Sequence, residues 1–466
     1  MSTKGQHQRR RLKETAPPSS QKPSKNLAPR DLEALAEELV AYHGEFADLF
    51  ERREQREWSE FYLRGQLSEL DRKTVEPMVL GLKGSDPAAV RAGQQLLGEG
   101  AWSDEAIISR HQHLVGDSLG EVDGVVIVDG SGFPKQGQHS VGVAPQYCGA
   151  LGKVANCQEG VFAAYASSKG YTFLDRRLYV PRSWFEAAHR PLRERCGVPE
   201  GLKFQTEPAL ALEMVQGLVA GGEVPFRWVV ADEHFGSNPA FLAGIAALGK
   251  WYLVEVSLST KVWGQEPKVE APGPGPMGRP RKHPRLVEGS PRAEEIGQLA
   301  ARLPASAWKR YTIKEGSQGP IVAEFVFLRV TRARRRRPTA RLWLVLRRST
   351  EPNAEVKAYL SNAPESCART ELVRVSGRRW PIESALEEAK GELGMDHYET
   401  RTWRGWHHPM TQTFLAHHFL VRMRLKLKKS PGPDSGPSPA ISGQRTALPT
   451  LEPERGPRNR ALSPAA

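Results

Sequence analysis

Cysteine is scarce in this chain. Cys148, Cys157, Cys196 and Cys367 are the only four in 466 residues, and none stands in a C-x-x-C or zinc-finger spacing. That argues against a disulfide scaffold or a cysteine-bound zinc, and is expected of buried thiols in a reducing cytoplasm. Long apolar runs are missing too. Nothing approaches the roughly 20 apolar residues that cross a bilayer. The first residues are rich in Lys, Arg, Ser and Pro with no apolar stretch, so neither a membrane span nor a secretory signal is expected. Acid is the minority charge: 53 Asp and Glu stand against 66 Lys and Arg, a net charge of +13. A basic excess of this size fits a polyanion partner, most simply nucleic acid; a soluble protein that happens to be basic is the plainer alternative.

What is present is a core-forming chain with 39% hydrophobic residues, long enough for two or three domains of roughly 100–200 residues. Residues 1–30, with Arg9-Arg10-Arg11, read as a disordered basic arm. Residues 31–118 have apolar positions at helical spacing and read as a helical N-terminal domain, either a DNA-recognition unit or a packing bundle. Residues 119–258 alternate strands and helices in an α/β pattern, with antiparallel strands first and a parallel return at Trp228–Ala231 and Trp251–Val256. Residues 259–365 read as a β-rich insertion carrying a Pro/Gly/Lys/Arg-rich loop at 264–291. Residues 366–428 return to helices, around Glu383 and over Met410–Leu427, and 429–466 read as a disordered tail.

Three acidic residues carry the chemistry. Val125–Val128 leads into Asp129-Gly130, and Phe226–Ala231 leads into Asp232. Each apolar run stopping at an aspartate reads as a buried strand ending in a turn, which puts a carboxylate at the carboxyl edge of the sheet. Glu383 follows Pro381 in a helical stretch, with Arg379 at its start and Lys390 seven residues on, about two turns along the same face. Two strand-end aspartates and a helix glutamate can hold two divalent ions for phosphodiester chemistry. An ordinary surface helix with Glu–Lys pairs is the alternative for the helix alone. Glu387 and Glu388 are the rival ligands to Glu383.

Further basic groups are candidate DNA contacts. Arg279 and Arg281, in Gly278-Arg279-Pro280-Arg281-Lys282, resemble a minor-groove hook. Arg335 and Arg336, within Arg334–Arg337, fall at an expected hairpin tip that can track a phosphate backbone. A solvated loop is the alternative for both segments. His407-His408 and His417-His418 lack partners at zinc spacing and read as core or helix-surface histidines. His234, two residues after Asp232, reads as a structural hydrogen-bonding group.

The arrangement resembles the DDE transposases of bacterial insertion sequences. The branch with a β-strand insertion carries Y-x-x-R-x-x-x-E-x-x-x-x-x-x-K around its glutamate, and Arg379, Glu383 and Lys390 match it in register, with Ser376 in place of the tyrosine. Asp129–Gly137, Ser140–Gly149, Asn156-Cys157-Gln158, Ala231–Gly236 and Ala389–Glu399 are similar to segments of the insertion-sequence family numbered seven hundred and one. The resemblance runs over roughly residues 50–425. It implies an RNase H-like catalytic core interrupted by the β-rich insertion, with Asp129, Asp232 and Glu383 as catalytic metal ligands. It further implies two Mg²⁺ ions, for which Mn²⁺ substitutes, and Arg379 and Lys390 on DNA. The partner that the resemblance implies is double-stranded DNA, at transposon ends and target, held by a homodimer in the bacterial cytoplasm at the nucleoid, with no membrane. Some relatives hold a flipped base with an insertion-domain tryptophan; Trp263, Trp308 and Trp343 are candidates by location, and core packing is the alternative for each.

Two other function classes are open. An inactive or domesticated relative would bind DNA as a regulator without cutting it. A carboxylate-pair glycosidase would work in the presence of a chelator, but the basic surface and the lack of carbohydrate-type aromatic clusters disfavour it.

Overall fold

A computed structural model describes residues 29–270, 273, 285–316, 319–334, 337–351 and 354–429. The candidate DNA contacts Arg279, Arg281, Arg335 and Arg336 lie outside the described residues, as do residues 1–28 and 430–466.

Five helices come first: α1 Pro29–Gly44, α2 Arg53–Leu67, α3 Val75–Leu82, α4 Pro87–Gly98 and α5 Asp104–Leu119. Two of their starts are capped by side chains. Asp86 caps α4 by accepting from the amides of Ala88 and Ala89, and Ser103 caps α5 by accepting from Ala106. The α/β part follows with β1 Val125–Pro134, β2 Ala144–Cys148, β3 Lys153–Ala166, β4 Tyr171–Tyr179, α6 Arg190–Arg195, α7 Glu207–Gly221, β5 Trp228–Ala231, α8 Glu233–Gly236, α9 Pro239–Ala247 and β6 Trp251–Val256. A strand-rich stretch holds β7 Lys261–Trp263, β8 Val269–Glu270, β9 Arg285–Leu286, β10 Glu294–Glu295, α10 Ile296–Ala301, β11 Lys309–Gly316, β12 Gly319–Arg334, β13 Arg337–Ser349 and β14 Lys357–Ser361. Three helices complete the described residues: α11 Arg369–Ser376, α12 Trp380–Gly391 and α13 Trp403–Lys429.

The mixed α/β expectation is met. One twelve-stranded mixed sheet runs β10-β7-β12-β13-β14-β6-β5-β1-β3-β2, with β11 on β12 and β4 on β3. β1, β3 and β4 pair antiparallel, whereas β1–β5 and β5–β6 pair parallel. The late strand-rich stretch does not stand apart from this sheet, because β14 pairs directly with β6.

Alternation along the strands decides which side chains meet which helices. In β1, Val126 and Val128 join the core beneath α7 and α9, while Val125 and Ile127 join the opposite core with α11 and α12. Strand β5 divides likewise, Val229 and Ala231 to the first and Trp228 and Val230 to the second. Ile382, Ala385 and Ala389 of α12 sit fully buried in that second core. A third core joins α2 to α5 with α13, through Leu63, Met78, Ile107, Leu415 and Phe419.

Two expected boundaries move. Strand β1 does not stop at Asp129 but continues to Pro134, since antiparallel pairing with β3 runs on through Pro134↔Cys157. The Asp-Gly turn signal is overridden by a neighbouring strand that satisfies the backbone. Helix α13 begins at Trp403, seven residues before its expected start at Met410, with Pro409 inside it. Pro409 has no amide to give the Gly405 carbonyl, and that carbonyl accepts the Thr400 hydroxyl instead.

Candidate active site

Asp129 shares the parity of Val125 and Ile127, and Asp232 that of Trp228 and Val230. Both aspartates therefore belong to the sheet face covered by α12, the helix that carries Glu383. Asp232 follows the last residue of β5 and caps α8, its Oδ1 accepting from the Phe235 amide at 3.3 Å. Asp129 Oδ1 accepts the Gly130 amide at 2.9 Å. Glu383 lies in the first turn of α12, which Pro381 helps to start.

Arg379 ties this constellation together. Its Nη1 is 3.3 Å from Asp129 Oδ2, and its Nη2 pairs with Glu383 Oε1. Burial opposes the arginine's charge, but Asp129, Glu383, Glu255 and Asp232 together hold its pKa above the ordinary value. Asp129 is pushed up to about 7: burial disfavours its charge, Asp232 repels it, Arg379 and the Gly130 amide partly compensate, and Glu383 adds repulsion. Like-charge crowding around one guanidinium is the electrostatic condition that a bound cation relieves.

The donor set suits Mg²⁺, which takes carboxylate oxygens and leaves other positions for water and phosphate. Among the described residues no three carboxylate, histidine or cysteine side chains converge closely enough to enclose an ion as they stand. Arg379 lies between two of the three carboxylates and screens them from each other.

Lys390 is aimed back at β1. Its Nζ donates to Ser131 Oγ at 2.8 Å and to the Gly132 carbonyl at 3.0 Å, above the Phe133 ring. It thus links the far end of the glutamate helix to the strand of Asp129. Burial lowers its pKa, against Asp396 and Glu159, which raise it.

Several other expectations find their places. Trp263, Trp308 and Trp343 are buried, with 2%, 7% and 6% of their surfaces exposed, and the indoles of Trp263 and Trp343 donate to the Pro291 and Pro364 carbonyls. Core packing accounts for all three. His407, His408, His417 and His418 are likewise buried on α13. His234 pairs with Glu207 at 3.3 Å. Ser376 is buried and donates to the Val373 carbonyl within α11. Glu388 is held by Tyr171, His417 and Arg424 and pushed down to about 2 against its own burial, so it is committed elsewhere than at the aspartates. Arg334 and Arg337 form the last pair of β12–β13, at the expected hairpin end.

Three residues near the site were not singled out from sequence. Glu255, the one charge in β6, shares the parity of the buried Leu253 and acts on Arg379. Its signal was a lone acid in an apolar run. Glu159 of β3 lies opposite Gly132 and faces the other side of the sheet, beside Glu207. Trp380 is 51% exposed between Arg379 and Pro381, with Lys314 Nζ 3.7 Å above its ring. It lines a cleft of about 610 Å³ with Lys314, Arg347, Lys357, Arg379 and Glu383. A large aromatic beside three charged positions was its sequence signal.

Comparison with known proteins fits this geometry. A family described as DDE superfamily endonuclease matches residues 45–320, a range that contains Asp129 and Asp232 and ends before Glu383. A "Probable transposase for insertion sequence element IS701" from Microchaete diplosiphon is 28% identical over 196 residues, 41% of this chain. The match spans 46% of that protein, a little under half its length.

Proposed function

The chain belongs to the DDE superfamily endonucleases, and from that footing we propose that it is an insertion-sequence transposase that cuts DNA at terminal inverted repeats. In this reading the sheet around β1, β3, β4, β5 and β6 is an RNase H-like core, the strand-rich stretch is its insertion, and the N-terminal helices form a domain of their own. The observation that carries it is Arg379, paired with both Asp129 and Glu383 and acted on by the charge of Asp232.

Asp129, Asp232 and Glu383 would hold two divalent ions, Mg²⁺ or in its place Mn²⁺. Bound ions supply activation of the attacking water or 3′-hydroxyl and stabilisation of the leaving oxygen. The chain's own groups do the rest. Asp129 is kept close to its protonation midpoint near neutrality by burial and by Asp232, so cation and proton compete for it. Arg379 bridges Asp129 and Glu383, and its guanidinium is the group nearest to them that can take the backbone of the DNA. Lys390 anchors the Asp129 strand to α12 and has a further N–H to offer a phosphate.

The freed 3′-hydroxyl ends are then joined to target DNA. The working form is a homodimer on paired transposon ends, acting in the bacterial cytoplasm at the nucleoid. No described helix is long and apolar enough to cross a membrane. The basic excess of 13 charges supports a DNA partner and a steep weakening of binding with salt.

The deciding experiment is cleavage of DNA carrying the element's own ends, with Mg²⁺ or with chelator, by wild type and Glu383→Gln. Metal-dependent release of 3′-hydroxyl ends, lost in the variant, is the expected result. Specific binding without any cleavage by the wild type would instead make the protein a DNA-binding regulator.

A further inference from the structure

The β2–β3 hairpin is an arm of the sheet that the chemistry above leaves unused. Tyr147 and Val154 stand directly opposite each other across its two strands. They are 65% and 67% exposed, and Leu151 at the tip is 47% exposed. An apolar cross-strand pair normally faces a core; this one faces solvent. The tip is open, since a Cβ added at Gly149 or Gly152 would meet nothing within 4 Å. The root is rigid: Trp184 donates to the Val143 carbonyl at 2.9 Å, Gln158 to Val141 at 2.6 Å, and Asn156 to Lys135 and Gly137 at 2.7 and 2.9 Å. Rigid root and apolar tip together make a preorganised contact surface.

Charge says what it contacts. Residues 130–158 contain no aspartate or glutamate, and their only charged side chains are Lys135 and Lys153. An acid-free stretch in a chain with 53 acidic residues complements a polyanion. The arm is also continuous with the catalytic strands. Asp129 sits opposite Phe162 of β3, and Val154 lies eight residues further along that strand. At about 3.3 Å per residue this is about 26 Å, or about eight base pairs of B-form duplex at 3.4 Å each. A second copy of the chain is the poorer occupant. Three exposed apolar side chains fall far short of the roughly 800 Å² per partner of a stable interface.

We propose that the β2–β3 hairpin docks on duplex DNA about eight base pairs from the scissile phosphate, Tyr147 and Val154 wedging against the groove and Lys153 lying on the backbone. The proposal rests on the reading of the protein as a DNA-cleaving enzyme and adds a contact site remote from its carboxylates.

The test uses the full chain, metal-free, on a duplex carrying the element's terminal sequence and on a scrambled duplex of equal length. Wild type, Tyr147→Ser/Val154→Ser and Lys153→Gln are compared by titration and hydroxyl-radical footprinting. The double variant should bind about tenfold or more weakly, the scale of losing aromatic contact with bases, and lose protection about eight base pairs from the cleavage position. Lys153→Gln should keep that protection and lower the salt dependence of binding by about one phosphate contact. At saturating DNA with Mg²⁺, both variants should cleave at the wild-type rate. Unchanged affinity and footprint in the double variant would overturn the proposal. So would an unchanged footprint with lost self-association in sedimentation, which would hand the surface to a second copy. A wild type that shows the footprint without cleaving would support the hairpin contact while removing the enzymatic reading.

Discussion

Asp129 and Asp232 stand just past the same rung: each directly follows a member of Val128↔Ala231, the last pair of the parallel ladder between β1 and β5. From there the two backbones part. Strand β1 carries Asp129 onward against β3, whereas the chain after Ala231 turns into α8 with Asp232 as its cap. Parting at one rung brings two carboxylates together on one face without either strand being distorted, and each finds a local amide to accept. The cost appears as the raised pKa of Asp129.

Asp129→Asn is expected to keep end binding and lose Mg²⁺-dependent cleavage by about 10³-fold or more, the scale of removing one member of a catalytic unit. Parallel gel-shift and cleavage assays on the same DNA check this. Retention of cleavage would remove Asp129 from the metal site.

Arg379 pairs with both Asp129 and Glu383. Arg379→Ala should therefore lower Tm in chelator, because the carboxylates lose their screen. Added Mg²⁺ should then raise Tm more than it does in wild type, since a ligand bound only by the folded state stabilises it. Equal Mg²⁺-induced rises in both proteins would show that the guanidinium and the ions do not share a site.

Asp104 at the start of α5 pairs with Arg176 of β4 at 3.0 Å and with His408 of α13 at 2.7 Å. Their side chains are 9%, 4% and 1% exposed. Although burial works against it, Arg176 and His408 hold the Asp104 carboxyl well below the usual range. Asp104→Ala leaves a buried guanidinium without this partner and should destabilise by about 3–5 kcal/mol. Denaturant titration at neutral pH measures it; a loss under about 1 kcal/mol would show that the network contributes little.

Glu159 is pushed up to about 8, chiefly by burial and then by Glu207, with Lys390 opposing. Its folded pKa lies above its unfolded value of 4.5, so its contribution is fully present below pH 4.5 and is lost as pH rises through 8. In metal-free buffer Glu159→Gln should match wild type near pH 4.5 and be the more stable protein at pH 9, by roughly 2–4 kcal/mol. Parallel stability curves at all pH values would refute the assignment of the strain to this carboxyl.

Much of this was legible in the chain. The short apolar runs at Trp228–Ala231 and Trp251–Val256 coincide with β5 and β6, because fully buried strands are written as unbroken β-prone segments. Asp129, Asp232, Arg379, Glu383 and Lys390 could all be named from type and spacing. The course of β1 past Asp129, the whole of β2 and the first turns of α13 could not. Each depends on a partner that local preference does not reveal: β3 completes β1 and β2, and the Thr400 hydroxyl covers the carbonyl that Pro409 leaves bare.

The sequence by itself determined which groups are available: three separated carboxylates, a basic excess, and short unbroken apolar runs for strands. Only the tertiary structure decided how they are used. Strand parity sends Asp129, Asp232 and Glu255 to the α12 face and Glu159 to the other. Arg379 is set between the carboxylates, and Lys390 is turned inward onto Ser131. The physical reason is that identity and local preference act over a few residues. The pairing register and helix docking that bring Asp129 within reach of Arg379, 250 residues later, are set by burial of the whole sheet.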